Sequence, residues 1–368
     1  MLKIINVAGI RPNFIKIAPL VNEISKHPEI RQILVHTGQH YDEEMSKFFF
    51  DDLQIPKPDI NLGVGSASDA TQTAKIMLEF EKILLKEKPD LVVVVGDVNS
   101  TLAASLAAAK CKVKVAHVEA GLRSFDRNMP EELNRIITDH IADFLFTTEE
   151  SANKNLINEG IGKDSIFFVG NAMIDSLLSH KEKSKQSKIL PKLKLEKNNY
   201  AVLTLHRPSN VDNKESLGHV LDILNEIQKK IKIAFPVHPR TLKNINNFKL
   251  NDKLKSQKNL IITEPLGYLD FLNLISNSKF VLTDSGGIQE ETTVLGVPCI
   301  TMRNNTERPV TVTQGTNVLV STDKTKIIET SNKLIKGVNF KPKIPQFWDG
   351  KASKRIVEII LKNFNGVK

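Results

Sequence analysis

The chain has 368 residues, of which 40% are hydrophobic, and a formal net charge of +9. This length exceeds one ordinary domain and suits two, and the hydrophobic fraction excludes disorder on a large scale. The basic balance suits an anionic partner, but the lysines are spread along the chain and aromatic residues make up only 6%. A phosphorylated small molecule fits at least as well as a nucleic acid, which is not indicated. Two cysteines, Cys111 and Cys299, stand in apolar surroundings and form no ligand or disulfide pattern, which is consistent with a reducing cytoplasm. No apolar run reaches membrane-spanning length, and Met1 leads straight into a strand with no secretory signal.

In chain order, residues 2–7 read as a strand followed by Gly9-Ile10-Arg11-Pro12 and a helix. Arg11 and Lys16 add positive charge where ligands bind in an open α/β sheet, although a solvated basic loop explains them equally. A second strand, 33–37, ends in Gly38-Gln39-His40-Tyr41-Asp42. A helix follows over 71–86, and Leu91-Val92-Val93-Val94-Val95 is the clearest buried parallel strand. Asp97 follows that strand, either as the cap of the next helix or as a carboxylate facing a substrate. The strand 113–118 delivers Glu119 to the same edge, where folding alone does not require an acid. Pro130 and the acids Glu131 and Glu132 open a further helix. In that helix Glu131 and Arg135 are spaced for an intrahelical ion pair, and Leu133, Ile136, Ile137 and Ile141 are expected to form the apolar face. Strands 144–148 and 166–169 complete the sheet. Asp97, Glu119 and Glu131 on one rim suggest acid–base work, because crowding and burial push carboxyl pKa values apart.

The Lys/Ser-rich stretch 181–199 reads as a linker or an exposed helix. A second series of strands begins at 200–205 and ends in His206-Arg207, a strand end where a side chain enters a cleft. Residues 231–237 repeat the pattern, and 260–263 lead to Leu266, Gly267 and Phe271, which offer main-chain groups beside a ring. The strand 280–282 then runs into Thr283-Asp284-Ser285-Gly286-Gly287 and a helix. Gly286 and Gly287 lack the Cβ atoms that keep a ligand off the backbone, and the helix start is an anion site. Glu290 and Glu291 follow within a turn, as acceptors suited to a diol. Arg308 lies past the strand 299–302 and suits a phosphate or an acid.

Together these motifs resemble one family. Gly9-Ile10-Arg11-Pro12 with Lys16, Thr37-Gly38-Gln39-His40, Val95-Gly96-Asp97-Val98, His117-Val118-Glu119-Ala120-Gly121-Leu122-Arg123, Pro130 to Arg135, His206-Arg207, Asp284 to Glu291 and Thr306-Glu307-Arg308-Pro309 occur in the order found in the non-hydrolysing UDP-N-acetylglucosamine 2-epimerases. The resemblance covers nearly the whole chain. It implies an α/β protein of two Rossmann-like domains in a GT-B arrangement, with the active site in the interdomain cleft. The expected division is 1–175, with a helix at about 352–368 packing back on it, a linker at 176–199, and a UDP-binding domain at 200–351.

The resemblance further implies reversible C2 epimerisation of UDP-N-acetylglucosamine (UDP-GlcNAc) to UDP-N-acetylmannosamine (UDP-ManNAc). UDP is eliminated to give 2-acetamidoglucal and then added back, supplying UDP-ManNAc for surface polysaccharide or glycan synthesis. It implies no cofactor and no metal, a cytoplasmic enzyme, no nucleic-acid or membrane partner, and a homodimer. By matching position, Asp97, Glu119, Glu131 and His206 are the catalytic candidates. Arg11 and Lys16 would support the leaving phosphate with His206. Ser285, Gly286, Gly287 and Arg308 would hold the phosphates, Glu291 the ribose, and Leu266 with Phe271 the uracil. Ile10, Asn13 and Ser209 depart from the usual Thr, Glu and Glu. The run after Gln39-His40 also departs from the Gln-rich positions where many bacterial members bind a second substrate molecule as activator. A hydrolysing epimerase, a GT-B glycosyltransferase and a non-catalytic nucleotide-sugar sensor stay open as alternatives at this level.

Overall fold

The computed structural model describes residues 1–38, 55–338 and 342–365, with only the backbone for Arg11 and Asn365. The run from Gln39 and His40 through Tyr41 and Asp42 lies outside the described residues, as does the Arg11 side chain. The chain divides into two compact units, Met1–Ser179 with Gln346–Lys368, and His180–Pro345.

The first unit is a seven-stranded parallel sheet. Its strands are β1 (Leu2–Ala8), β2 (Ile30–His36), β3 (Ile60–Asn61), β4 (Leu91–Val95), β5 (Lys114–Ala120), β6 (Phe144–Thr147) and β7 (Ile166–Phe168). All five residues of β4 are buried, as expected for a central parallel strand covered on both faces. Each such side chain contributes about 1.5–3 kcal/mol of burial. The intervening helices are α1 (Arg11–Ile24), α2 (Asp69–Glu87), α3 (Asn99–Lys110), α4 (Pro130–Ile141), α5 (Glu150–Asn158) and α6 (Ala172–Ser184). On one sheet face, Val92 and Val94 pack with Ile5, Val7, Ile33 and Val35 against Phe80 of α2 and Ala104 of α3.

The second unit repeats the plan with six parallel strands, β8 (Tyr200–Thr204), β9 (Lys232–Pro236), β10 (Leu260–Thr263), β11 (Phe280–Thr283), β12 (Cys299–Thr301) and β13 (Asn317–Leu319). Its helices are α7 (Ile189–Lys192), α8 (Pro208–Val211), α9 (Lys214–Ile227), α10 (Pro239–Asn247), α11 (Asn251–Lys255), α12 (Tyr268–Ser276), α13 (Gly286–Leu295), α14 (Pro309–Thr313) and α15 (Lys324–Ile335). The final helix, α16 (Ala352–Asn365), packs on α1 in the first unit. Asp175 anchors it by accepting hydrogen bonds from the Ala352 and Ser353 N–H groups at 3.1 and 2.7 Å. Buried Trp348 donates to the Thr148 carbonyl at 2.9 Å.

Both sheets have the same order, β3-β2-β1-β4-β5-β6-β7 and β10-β9-β8-β11-β12-β13. The chain moves outward in one direction, then returns to the middle and moves out in the other. The strand order therefore reverses between β1 and β4, and between β8 and β11. At such a switch point adjacent loops diverge and leave a crevice at the carboxyl ends of the strands.

Three local expectations fail. Leu133 and Ile137 of α4 do not face the core but are exposed, while Ile136 and Ile141 are half-buried. The buried face is instead Glu132, Asn134, Arg135, Thr138 and Asp139. Arg135 does not pair with Glu131, which is exposed, but with Glu132 and Asp97. Helix periodicity identified the stripe; the charged network beneath the helix decided which stripe turned inward. Asp97 also does not cap α3, whose N-cap is Val98. No helix among the described residues is long and apolar enough to cross a membrane.

Candidate active site

At the first switch point β4 ends in Gly96 and Asp97. Gly96 adopts φ +68°, a left-handed conformation that costs glycine little. A Cβ there would lie 3.3 Å from Lys16 Nζ, 3.4 Å from Asn13 Nδ2 and 3.6 Å from Glu119 Oε2. Three side chains from α1 and the end of β5 thus converge on this turn. Lys16 forms an ion pair with Glu119, and Asn13 donates to the Val95 carbonyl at 3.0 Å. Asn13 Oδ1 also accepts from the Gly9 and Ile10 N–H groups, both at 3.3 Å, and so shapes the loop that carries Arg11.

Glu119 has φ +74° although it is not glycine, and the β5–β6 register shifts between Val118 and Ala120. A bulge of this kind re-aims a side chain at a strand end. Holding a side-chain-bearing residue there costs on the order of 1–3 kcal/mol and clusters at functional sites. Asp97 is half-buried and pairs with Arg135, whose guanidinium also engages Glu132 at 2.6 Å. Burial pushes the Glu132 carboxyl up, but hydrogen bonds from Ser124, Arg135 and Phe125 hold it below the usual range. Glu132 is therefore a buried counter-charge that fixes Arg135 against Asp97. Glu131, in the first turn of α4, is exposed.

At the second switch point β8 leads to His206 and β11 to Asp284. The His206 ring is 43% exposed, and its Nδ1 lies 3.0 Å from the fully buried Asp284 carboxylate. Asp284 also accepts from the N–H groups of His206 and Arg207, at 3.1 and 2.9 Å, and from Asn210 Nδ2 at 3.1 Å. Burial raises the Asp284 pKa, but the His206 bond and charge and the further donors outweigh it and keep the carboxyl ionised below its usual value. An ionised carboxylate on Nδ1 fixes the tautomer and directs Nε2 outward. Asp284 had no assigned role in the sequence reading. Its position after a buried strand and before two glycines was the available signal.

Ser285 is the N-cap of α13 but makes no side-chain capping bond, so its hydroxyl stands at the helix start beside Gly286 and Gly287. Arg308 closes against this turn. A Cβ on Gly286 would meet Arg308 Nη1 at 2.5 Å. Arg308 pairs with Glu290 at 2.8 Å and Glu307 at 3.0 Å, while Glu307 also takes Arg303 at 2.7 Å and Arg207 at 3.5 Å. The guanidinium groups of Arg308, Arg303 and Arg207 gather with Glu290 and Glu307 beside a helix N-terminus, a place that attracts anions. Burial pushes the Glu307 carboxyl up, yet Arg308 and Arg303 hold it well below the carboxylate range. Glu307, Arg303 and Arg207 were not singled out for this role; a Glu flanked by arginines in sequence gives no hint of which of them it gathers.

Glu291 is buried, with its Oε1 3.5 Å from the Tyr268 hydroxyl. Burial, then the neighbouring Glu290, pushes its pKa up to about 8. Leu266 and Phe271 are half-buried at the end of β10 and in the first turn of α12. Among the described residues no three His, Cys, Asp or Glu side chains are arranged to hold a metal ion.

A family model described as UDP-N-acetylglucosamine 2-epimerase matches residues 22–361. The chain belongs to the UDP-N-acetylglucosamine 2-epimerase family. Its fold is that of the family, two Rossmann-like α/β domains of the GT-B class. A UDP-N-acetylglucosamine 2-epimerase homolog of Methanococcus maripaludis is 49% identical, over 98% of this chain and 99% of the relative. The crystal structure of the Methanocaldococcus jannaschii UDP-GlcNAc 2-epimerase in complex with UDP-GlcNAc and UDP superposes with a TM-score of 0.92. It is 47% identical, covering 98% of this chain and 100% of that one. A UDP-2,3-diacetamido-2,3-dideoxy-D-glucuronate 2-epimerase of Pseudomonas aeruginosa is 40% identical, over 98% of this chain and 100% of the relative.

Proposed function

We propose that this epimerase interconverts UDP-GlcNAc and UDP-ManNAc without net hydrolysis. The observation that carries the reading is the near full-length likeness to a structure holding UDP-GlcNAc and UDP. No carbonyl acidifies C2 of the sugar, so direct deprotonation is difficult. Elimination solves this: a carboxylate takes the C2 proton as the C1–O bond breaks, and the bonding pair leaves on the β-phosphate oxygen. In the return step that oxygen attacks C1 and a proton is delivered to the opposite face of C2. The chemistry needs proton carriers and strong stabilisation of the departing diphosphate.

In this reading Asp97, Glu119 and Glu131 carry protons, and Lys16 supplies the counter-charge to an ionised Glu119. His206, held by Asp284, directs Nε2 to the leaving phosphate, with Arg11. Ser285, Gly286, Gly287 and Arg308 hold the diphosphate, Glu291 the ribose hydroxyls, and Leu266 with Phe271 the uracil. We place the enzyme in the cytoplasm, where its two free cysteines suit a reducing compartment, and assign UDP-ManNAc to surface polysaccharide or glycan synthesis.

A proton NMR time course with UDP-GlcNAc in deuterium oxide tests this. The expected result is deuterium at C2 and UDP-ManNAc without free ManNAc, with both lost in Glu119→Gln while UDP binding persists. Free ManNAc with UDP would instead identify a hydrolysing enzyme, and no C2 exchange would end the proposal. Turnover confined to UDP-2,3-diacetamido-2,3-dideoxy-D-glucuronate, the sugar nucleotide in the name of the 40% relative, would move the substrate assignment while keeping the mechanism.

We also propose a homodimer built on the outer helices of the first unit. Leu78 and Leu85 lie two turns apart on α2, 62% and 63% exposed, and Leu133 and Ile137 on α4 are 37% and 39% exposed. The α3 helix packs against both α2 and α4, so these side chains flank one helical layer. Apolar area of that kind marks an association surface. Sedimentation should give a dimer for the native chain and a monomer for Leu78→Glu/Leu85→Glu; a native monomer would refute it.

A further inference from the structure

His117 lies on β5 two residues before Glu119, and its side chain is fully buried. Its Nε2 is 2.8 Å from the Gly96 carbonyl oxygen. A carbonyl cannot donate, so Nε2 carries a proton. Its Nδ1 is 2.6 Å from Asp139 Oδ1 on α4. The other Asp139 oxygen, Oδ2, accepts from the Gly121 N–H at 3.0 Å and from Arg123 Nη1 at 2.7 Å. Arg123 in turn grips Glu159 with two bonds of 2.7 Å. Burial pushes the Asp139 carboxyl up, but the charges and hydrogen bonds of His117 and Arg123 hold it below its usual range. Asp139 thus bonds the ring with one oxygen and Gly121 and Arg123 with the other.

The connections explain how Glu119 is held in its left-handed conformation. One carboxylate, Asp139, takes the side chain of His117 on one oxygen and the main chain of Gly121 on the other. The two attachment points flank Glu119 on either side, and between them the β5–β6 register shifts. With both ends pinned, the intervening residues bulge and the Glu119 side chain is carried out at the strand end. The far nitrogen of the same ring holds the carbonyl of Gly96, the residue before Asp97. A single buried ring thus ties the turn bearing one carboxylate to the bulge bearing the other.

We propose that His117 is a positioning residue which, through Asp139 and Gly96, sets Glu119 and Asp97 in fixed mutual geometry for proton transfer at C2. It does not touch substrate, and its effect is exerted through the main chain. Removing the ring leaves the Asp139 carboxylate oxygen and the Gly96 carbonyl without this partner, which in a buried site costs a full desolvation penalty. Displacement of a reacting group by about 1 Å costs on the order of 10²-fold in rate.

The inference rests on the proposed roles of Asp97 and Glu119, so one arm of its test is independent of them. Neutron diffraction from crystals of the perdeuterated full-length protein should show a deuteron on Nε2 of His117, directed at the Gly96 carbonyl; its absence overturns the tie between the two turns whatever the enzyme does. In the second arm, folded His117→Gln should lose about 10²-fold in kcat for C2 proton exchange, with UDP affinity within twofold of wild type. A merely structural residue would lower the melting temperature without selective loss of kcat, and kcat within twofold of wild type overturns the positioning role. If His117→Gln does not fold, His117→Asn carries the same comparison: its shorter side chain reaches the Asp139 side but not the Gly96 carbonyl, and the same selective loss is expected. Absence of C2 exchange in the wild-type protein would count against the proposed function and leave the neutron result standing.

Discussion

Replacing Gly286 by Ala adds one methyl group at the opening of α13. The Cβ would lie 2.5 Å from Arg308 Nη1, 3.1 Å from its Cζ and 3.4 Å from Glu307 Oε1. Non-bonded heavy atoms are comfortable at about 3.5–4.0 Å, so the guanidinium must withdraw by roughly 1 Å. Arg308 is buried and gripped at 2.8 Å by Glu290 and 3.0 Å by Glu307, so withdrawal stretches contacts it cannot replace from solvent. Complete loss of a buried partner costs about 3–5 kcal/mol; the partial loss here should cost about half of that. Alanine is the better helix former by about 1 kcal/mol, which offsets part of the loss but does not cancel it. UDP affinity should fall by about 10- to 30-fold, on the scale of about 1.4 kcal/mol per tenfold, because the displaced guanidinium faces the proposed diphosphate site. Isothermal titration with UDP measures the first effect and a thermal melt the second. Gly218→Ala, in the interior of α9, is the control: its Cβ meets only Lys253 Nζ at 3.9 Å, so it should stabilise slightly and leave UDP binding unchanged. UDP affinity within twofold of wild type in Gly286→Ala would refute the placement of the diphosphate.

Asp284→Asn removes the ionised acceptor that holds His206 Nδ1 and three other donors. The expected loss is about 10²-fold or more in kcat, within the range of a general acid–base group; steady-state kinetics with unchanged activity would show that the His206 orientation is immaterial. Glu291 gives a pH dependence of defined sign. Its folded pKa of about 8 lies above its ordinary value, so the native state keeps a proton that the unfolded chain has released. This contribution is fully present below about pH 4.5, and stability is lost as pH rises through 8. Melting temperatures from pH 5 to 9 should show the native chain losing ground steadily to Glu291→Gln, whose neutral amide does not titrate. A difference independent of pH would place the Glu291 carboxyl in a less demanding environment.

Much of the strand–helix pattern was legible because it is written locally. An unbroken apolar run such as Leu91–Val95 has one stable use in a chain of this composition, a parallel strand covered on both sides. Gly286 marked a tight turn because only a missing Cβ leaves room for the guanidinium beside it. The sequence reading went astray on α4, where hydrophobic periodicity put Leu133 and Ile137 inside. Periodicity reports that a helix has two faces and assumes that the apolar one is buried. Here the charges of Glu132, Arg135 and Asp139 meet partners on other elements and sink beneath the helix instead.

By itself, the sequence determined the elements, their order and the chemical kinds of residue at each strand end, since these depend on neighbours a few positions apart. The tertiary structure decided which of them meet. Arg135 reaches Asp97 across 38 positions, Asp284 holds His206 and Arg207 across 78 and 77, and Arg207 reaches Glu307 across 100. The Asp284 contacts follow from a strand order that returns to the middle of the sheet and brings β11 beside β8. Lys16 is the clearest case: a positive charge in a first loop can serve a phosphate or an acid, and only the close approach of α1 to the end of β5 pairs it with Glu119.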